Sequence, residues 1–280
     1  MLEADIVAAD ELRRLANWNQ TLVGWKTLLS LEPHGCFAAE LNGKIIGTVT
    51  TTAYEKTLAW IGMMLVHPDY RGRGFARQLM QTALRYLQSG GVKCIKLDAT
   101  PAGRPVYEKL GFVAEWTLTR QLREPRLGAD LPVKDAANTR SLTSTDDWKA
   151  AATLDAKGFG LNRERVLRAL NAQCIAIKVW PEHGPIAGFG MLRTGSHASY
   201  LAPLVCRESD GARALLSALL TAAGDRPVVW DVPDDHKLAN ELAALLGFTP
   251  QRPLTRMRLG PSETVSDPQN QLGIADPSLG

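Results

Sequence analysis

A basic turn with two glycines stands between an apolar run and an amphipathic segment, and it carries the strongest chemical signal in the sequence. Residues 71–74 read Arg-Gly-Arg-Gly and follow the apolar run 58–66. Glycine lets the backbone turn tightly and approach a ligand, and the first amides of a helix have no acceptor within it. The helix dipole and the side chains of Arg71, Arg73 and Arg77 favour negative charge. This arrangement predicts a site for an anion such as a phosphate.

The sequence on either side of the turn separates this site from other uses of glycine. The apolar run before it predicts a buried strand, and Leu79, Ala83, Leu84 and Leu87 recur at helical spacing after it. No Gly-Lys-Ser/Thr follows, as a nucleoside-triphosphate loop requires, and the Gly-x-Gly-x-x-Gly pattern of dinucleotide-binding proteins is missing. The sequence therefore predicts a strand, an anion turn and a helix outside both of those classes.

Two motifs resemble those of one known family. Arg71-x-x-Gly74-x-Ala76 resembles the Arg/Gln-x-x-Gly-x-Gly/Ala signature of the GNAT superfamily of N-acetyltransferases. Residues 106–112, Val-Tyr-Glu-Lys-Leu-Gly-Phe, resemble the tyrosine helix and the Leu-Gly-Phe sequence that close that fold. Both motifs stand in the family's order and at its spacing, and the resemblance covers residues 4–120.

The resemblance implies that acetyl-CoA is the cosubstrate and that no metal takes part. A strand backbone would pair with the pantetheine arm, the Val66 amide would face the thioester oxygen, and the turn would hold the pyrophosphate. Strand 94–100 would diverge from the preceding strand to admit the coenzyme. The residues implicated in coenzyme binding are Met64, Leu65, Val66, Arg71, Gly72, Arg73, Gly74, Phe75, Ala76 and Arg77.

Acetyl transfer needs an amine held against the carbonyl, a donor for the oxyanion and an acid for the departing thiolate. Tyr107 is the candidate acid, because a tyrosine hydroxyl ordinarily titrates near 10 and can protonate the sulfur. The alternative is that Tyr107 packs against its neighbours and has no role as an acid. An alkylammonium must lose its proton before it attacks, so activity should rise with pH.

The sequence does not identify the general base. Glu55, His67 and Asp98 are titratable and lie near the ends of predicted strands. His67 precedes a proline at a bend, which favours a turn residue, and Asp98 is close enough to Thr100 to accept backbone or hydroxyl hydrogen bonds instead. Family members differ at this step, and some rely on water.

Length and composition limit the other classes. The chain has 280 residues, of which 45% are hydrophobic, which is enough for two domains. No run approaches the roughly 18 apolar residues of a membrane helix, and the amino terminus lacks an export signal, so we expect a cytoplasmic protein without a membrane partner. The four cysteines are scattered, which favours free thiols over zinc or disulfides. A net charge of +3 gives no reason to expect a nucleic-acid partner.

The second half of the sequence repeats the order of the first in fainter form. Leu246-Gly247-Phe248 follows a predicted helix, as Leu110-Gly111-Phe112 does. We predict an α/β fold of the α+β type: two GNAT-like domains in tandem, each a mostly antiparallel sheet flanked by helices. The predicted boundaries are 1–124 for the acetyltransferase domain, 125–139 for a linker, 140–260 for a degenerate domain and 261–280 for a mobile tail.

The second copy lacks the features that the first would use. Residues 207–212 replace the glycine pair and bring two carboxylates to the expected phosphate position, and Ala243 replaces Tyr107. We therefore expect one coenzyme site per chain, with the second domain as a wall or lid for the acceptor. Two further sets of residues each have a functional and a structural interpretation. The acidic set could attract a cationic amine or belong to a solvated loop, and the aromatic set could line an acceptor pocket or belong to the core. They are Asp231, Asp234 and Asp235, and Trp25, Tyr54, Trp60 and Trp116.

The resulting hypothesis is an N-acetyltransferase that moves an acetyl group from acetyl-CoA to an amine by direct attack in a ternary complex. The acceptor would be a small-molecule or peptide amine, and the protein a monomer or homodimer. A non-catalytic acyl-CoA-binding sensor is the alternative. An interaction scaffold is a third class, and it would need large exposed apolar patches that a sequence does not display.

Overall fold

A computed structural model describes residues 1–125, 138–261 and 266–280 of the chain. In chain order its elements are α1 (Ile6–Leu15), α2 (Leu22–Leu31), β1 (Phe37–Leu41), β2 (Lys44–Tyr54), β3 (Leu58–Val66), α3 (Phe75–Ser89), β4 (Cys94–Ala99), α4 (Arg104–Glu108), β5 (Val113–Arg123), β6 (Arg140–Ser141), α5 (Thr145–Phe159), α6 (Glu164–Leu170), β7 (Cys174–Trp180), β8 (Gly188–Arg193), β9 (Ser199–Cys206), α7 (Ser209–Ala223), β10 (Val228–Pro233), α8 (Lys237–Leu245), β11 (Thr249–Leu259) and β12 (Gln271–Gly273).

The chain divides into two compact units. Among the described residues, the first unit holds 1–115, 255–261 and 277–280, and the second holds 116–125, 138–254 and 266–276. Each unit therefore contains pieces from both halves of the sequence.

The first unit is a mixed sheet with helix α3 packed on one face. Strands β1, β2 and β3 pair antiparallel, β3 and β4 pair parallel, and β4 pairs antiparallel with residues 255–259 of β11. Asn42 and Gly43 connect β1 to β2 with positive φ angles of 50° and 75°, as the hairpin signal of this pair predicts. Apolar residues of α3 and of alternate strand positions form the core between helix and sheet.

The second unit repeats this plan. Its strands follow the order β6, β7, β8, β9, β10 and β5, with β12 also paired to β9. Strands β9 and β10 are parallel, and helices α7 and α8 supply much of the core against them. In each unit, strands that pair in both parallel and antiparallel directions are flanked by helices, in agreement with the predicted fold class.

The exchange of one strand between the sequence halves departs from the predicted domain boundaries. Residues 113–123 form a strand, but Leu118 to Arg123 pair with β10 of the second unit instead of closing the first. The matching position in the first unit is taken by residues 255–259, beside β4. The alternation of side chains predicts that a segment is a strand, whereas the choice of neighbour depends on distant residues.

The mobile tail predicted for residues 261–280 is instead buried from residue 271 onward. Gln271 and Gly273 pair with β9, and Leu272 and Ile274 are fully buried in the second unit. Few apolar side chains were needed for this, because main-chain pairing fixes the segment. Most of the predicted linker, 126–137, lies outside the described residues. In the described ranges, no helix has the length and apolar character to cross a membrane.

Candidate active site

Eight residues, 67–74, connect β3 to α3 and form the turn. The short helical turn Pro68–Tyr70 begins at His67, whose Nδ1 accepts the Asp69 amide at 3.3 Å. Gly72 and Gly74 then adopt φ angles of 76° and 85°. A Cβ built on either glycine would meet no atom within 4 Å, so the backbone conformation, and not lack of space, requires glycine here.

The first turn of α3 presents amides toward solvent. Gly74 precedes the helix without a side-chain cap, and its carbonyl accepts the Gln78 amide at 3.1 Å. Among the described residues, the amides of Phe75, Ala76 and Arg77 have no acceptor. Three unbonded amides at the positive end of a 15-residue helix can bind a phosphate.

The arginines of the turn are exposed and partly positioned. Arg71 Nε donates to the Val66 carbonyl at 3.1 Å, and the Arg73 guanidinium lies 5.3 Å from the centre of the Tyr70 ring. Arg77 is exposed on the first turn of the helix. Positive charge and open amides therefore occur together where the sequence predicts an anion.

Strands β3 and β4 diverge beside this turn. They pair at Leu58, Ala59 and Trp60, and no further pair follows in the described residues. Met63 has a φ angle of 45°, and the register between β2 and β3 shifts there. The shift is a bulge, which bends β3 away from β4. On its other edge, the end of β3 stays paired to β2 at Leu65 and Val66. The predicted divergence is present, and it leaves the edge of residues 61–66 open toward β4.

Tyr107 lies on α4, which follows β4. Its ring is 6.1 Å from that of Phe112, and its hydroxyl has no hydrogen-bond partner within the part of the chain that the structure describes. Burial raises the pKa of Tyr107 to about 12. The side chain thus stays protonated at ordinary pH and can donate a hydrogen bond.

The three candidate bases are not brought together. Glu55 is exposed in the turn between β2 and β3, and eight strand steps of about 3.3 Å separate Leu58 from Val66, so Glu55 lies at the wrong end of the strand. His67 begins the short helical turn, as the turn interpretation predicts. Both oxygens of the buried Asp98 accept from Arg256, each at 2.8 Å. Glu55 and Asp98 are therefore poorly placed to act as the base, and the structure gives His67 a turn role.

Arg256 is a residue that sequence reasoning missed. Besides its pair with Asp98, its guanidinium lies 4.5 Å from the centre of the buried Trp60 ring. The two charged partners are 158 residues apart, so no local spacing connects them. The only available signal is an arginine at an alternating position of a predicted strand, which requires an acidic partner once it is buried.

Asp231 and three of the four aromatic candidates are buried, whereas Asp234 and Asp235 are exposed. Asp231 is fully buried and receives two hydrogen bonds from Arg120, at 2.8 and 2.6 Å, so it is not a solvated loop residue. Asp234 is exposed and accepts from Thr119. Trp25, Tyr54 and Trp60 are at most 5% exposed in the first unit, and Trp116 belongs to the second.

The second unit builds the corresponding turn differently. Two residues, Arg207 and Glu208, connect β9 to α7. The glycine of the segment, Gly211, is buried, and a Cβ there would come within 2.6 Å of the Trp180 ring. Ala243 occupies the position of Tyr107, because the Phe248 amide donates to its carbonyl as the Phe112 amide does to that of Tyr107.

Strand β12 also fills the divergence of β9 and β10. These strands pair at Ser199 and Tyr200, after which Gln271 and Gly273 of β12 pair with β9. The Ile274 amide donates to the Asp231 carbonyl of β10 at 3.3 Å. The opening that β3 and β4 leave is therefore closed in the second unit by the chain itself.

Comparison with known proteins matches both halves of the chain. Residues 7–112 match a model described as the acetyltransferase (GNAT) family, and residues 151–273 match one described as an acetyltransferase (GNAT) domain. The uncharacterized N-acetyltransferase YitH of Bacillus subtilis is 25% identical over 217 residues, which are 74% of this chain and 72% of that protein. An acetyltransferase of Yersinia pestis is 33% identical over 109 residues, 37% of this chain and 75% of that one.

Two solved structures share the fold over nearly the whole chain. One, from Pyrococcus horikoshii, was solved as a candidate acetyltransferase; its TM-score is 0.86 at 24% identity, and the match covers 100% of this chain and 94% of that one. The other is a tandem GNAT protein from the clavulanic acid biosynthesis pathway, with a TM-score of 0.66 at 16% identity over 93% and 97% of the two chains. Two domains of one fold in tandem are thus seen in this chain and in that structure.

Proposed function

Since the chain belongs to the acetyltransferase (GNAT) family, we propose that its first unit transfers an acetyl group from acetyl-CoA to an amine and that its second unit binds no coenzyme. The observation that carries this proposal is the contrast between the two turns. After β3, two glycines with positive φ and three unbonded helix amides stand beside three arginines. After β9, two residues and a buried glycine leave no such turn.

The residues of the first unit fit the coenzyme in three places. The unbonded amides of Phe75, Ala76 and Arg77, with the arginines, would hold the pyrophosphate. The open edge of Met64, Leu65 and Val66 would pair with the pantetheine arm as an added strand does. Gly72 and Gly74 leave space above the turn that side chains would otherwise occupy.

The proposed reaction is a direct attack. The uncharged amine forms an N–C bond to the acetyl carbonyl carbon, and the C–S bond of the thioester breaks. The Tyr107 hydroxyl gives its proton to the departing thiolate, and the proton that the amine releases goes to solvent. A tyrosine whose pKa is about 12 is protonated at ordinary pH, and after the transfer it recovers its proton from solvent. The acceptor is a small-molecule or peptide amine, and the protein acts as a monomer or homodimer in the cytoplasm.

Calorimetric titration with acetyl-CoA tests the binding site. We expect one acetyl-CoA per chain, and the double variant Arg71→Ala/Gly74→Glu should bind it about tenfold to a hundredfold more weakly, because it removes a charged donor and adds a carboxylate at the helix amides. Arg207→Ala is the matched control, since Arg207 follows β9 as the turn follows β3, and it should bind like the wild type. Equal affinity of the double variant and the wild type would contradict the assignment of the turn.

A further inference from the structure

Residues 277–280 lie directly on the central strand of the first unit. Trp60 Nε1 donates to the Pro277 carbonyl at 3.1 Å, and the Tyr54 hydroxyl donates to the Leu279 carbonyl at 2.6 Å. Ser278 and Leu279 are 5% and 2% exposed. The segment is thus held by specific donors on two neighbouring strands.

Gly62 makes this contact possible. A Cβ on Gly62 would lie 2.4 Å from the Ser278 Cβ and 2.5 Å from its Cα, so any side chain there displaces the segment. Gly62 is not among the residues with positive φ, so space, and not backbone conformation, requires glycine. Strand β3 is therefore built to accept another stretch of backbone at this position.

The contact lies on the sheet face opposite α3. Ala59 and Ile61 point into the core with α3, so Trp60 and Gly62 point to the other face. Thr50 and Thr52 stand opposite Gly62 and Trp60 on β2. Their hydroxyl oxygens are buried and have no hydrogen-bond partner among the described residues. The segment covers a surface that includes two unpartnered polar groups.

This surface adjoins the proposed acetyl site. Gly62 is two residues beyond the last pair of β3 with β4 and two residues before Met64, which is about 7 Å along a strand. We propose that residues 277–280 form the acceptor-side wall of the acetyl site and keep water from the thioester. This inference rests on the proposed function, since it takes the bound acetyl group to lie along Met64, Leu65 and Val66.

If residues 277–280 are removed, we expect a side reaction with water. Water attacks the acetyl carbonyl, an O–C bond forms and the C–S bond breaks; one proton of the water goes to the thiolate and the other to solvent. The products are acetate and the CoA thiol, so the reaction needs no amine and no other reactant. Thiol release in the absence of any amine therefore measures how open the acetyl site is to solvent.

The experiment compares thiol release by the wild type, a deletion of residues 277–280 and Gly62→Ala at saturating acetyl-CoA. We expect release to rise about tenfold in the deletion and in the same direction in Gly62→Ala, with acetyl-CoA affinity within about twofold of the wild type. Gly90→Ala, at the end of α3, is the matched glycine control and should release thiol at the wild-type rate. Tyr54→Phe, which removes one hydrogen bond to the segment, should give a smaller rise.

The outcomes separate the two proposals. Unchanged thiol release in a folded deletion variant that binds acetyl-CoA overturns the wall and leaves the proposed function standing. A wild type that does not bind acetyl-CoA overturns the proposed function, and the wall falls with it. If the deletion does not fold, as judged by circular dichroism, Gly62→Ala and Tyr54→Phe decide in the same way.

Discussion

The two units place a helix after a central parallel strand, but the turn that leads into the helix differs between them. In the first unit, α3 begins after two positive-φ glycines and has no side-chain cap. In the second, α7 begins two residues after β9, with Glu208 and Asp210 at its start. A short turn with two acidic residues at the helix start disfavours an anion there, whereas the longer glycine turn before α3 leaves room for one.

A second difference concerns the open strand edge. In the first unit, β3 and β4 part after Trp60, and the edge is free to pair with a pantetheine arm. In the second, β12 occupies the same position beside β9. A Cβ on Gly273 would lie 2.4 Å from Trp230 Nε1, so the filling strand fits closely. A segment of the chain thus fills in the second unit the strand edge that is open in the first.

The units also share a feature, a buried ion pair at equivalent positions. Asp98, two residues after the partner of Trp60 on β4, pairs with Arg256. Asp231, two residues after the partner of Tyr200 on β10, pairs with Arg120. In each case the arginine comes from the strand that the other half of the sequence supplies. The repeat therefore includes the exchange of strands.

Breaking this repeated pair should give the largest effect. Asp231→Asn leaves the buried Arg120 without its countercharge and weakens the hydrogen bond from Tyr200, so we expect the free energy of unfolding to fall by about 3–5 kcal/mol in urea denaturation. Asp98→Asn should lie at the lower end of that range, because Arg256 keeps its contact with Trp60. Exposed Asp234→Asn is the control, with a change of at most about 0.5 kcal/mol. A loss for Asp231→Asn no larger than the control would contradict the pair's role.

The same pair predicts a pH dependence. Burial alone would raise the pKa of Asp231, but the charge and hydrogen bonds of Arg120 more than offset this and lower it below its ordinary value. A carboxylate with a lowered pKa stabilises the fold above the pKa of the unfolded chain, about 3.9, and this contribution is lost as the pH falls below it. Acid unfolding should therefore be less steep for Asp231→Asn than for the wild type.

Substitution of Tyr107 tests whether the first unit catalyses a reaction that the second cannot. Tyr107→Phe should lower kcat about a hundredfold and leave acetyl-CoA affinity unchanged, because only the acid for the thiolate is removed. Tyr70→Phe, a tyrosine beside the turn, is the matched control. In the wild type, the rate should rise with pH as the amine deprotonates, without a fall near pH 10, since the pKa of Tyr107 is about 12.

Two results would change this interpretation. A rate that falls near pH 10 would point to an acid with an ordinary tyrosine pKa. Acetyl-CoA binding without turnover on a broad panel of amines would favour a coenzyme sensor over an enzyme.

The smallest expected effect concerns a helix whose amino-terminal end is capped by a serine side chain. Ser144 accepts the Asp147 amide at 3.0 Å at the start of α5, in contrast to the uncapped start of α3. Ser144→Ala should lower the free energy of unfolding by about 1 kcal/mol, measured by urea denaturation. Thr145→Ala, one residue on and exposed, should change it by less than about half of that. Equal values for the two variants would show that the cap contributes nothing.

Local features of both units could be predicted from the sequence. The Asn42–Gly43 hairpin, the strand before the turn and the amphipathic α3 follow from residue types and spacing, because a few neighbouring residues determine them. The loss of the turn in the second unit also follows, since residues 207–212 show it directly. These are the parts in which local preference and final structure agree.

The remainder depends on residues far apart in the chain. The neighbour of β5, the partner of Asp98 and the burial of residues 271–280 each join segments separated by more than 60 residues. An apolar count over residues 261–280 predicts a tail, because it does not register hydrogen bonds that the backbone makes with a distant strand. The wall on Gly62 is of the same kind: a lone glycine in a strand signals close approach without saying of what.

The exchange of strands determines when the first unit can be completed during protein synthesis. The sheet of the first unit is complete only when residues 255–259 lie beside β4, and the Trp60 indole donates to the carbonyl of the distant Pro277. A ribosome synthesises residues 255–259 more than 150 residues after β4. The nascent amino-terminal half therefore waits with an unpaired strand edge, which chaperones can shield in the meantime.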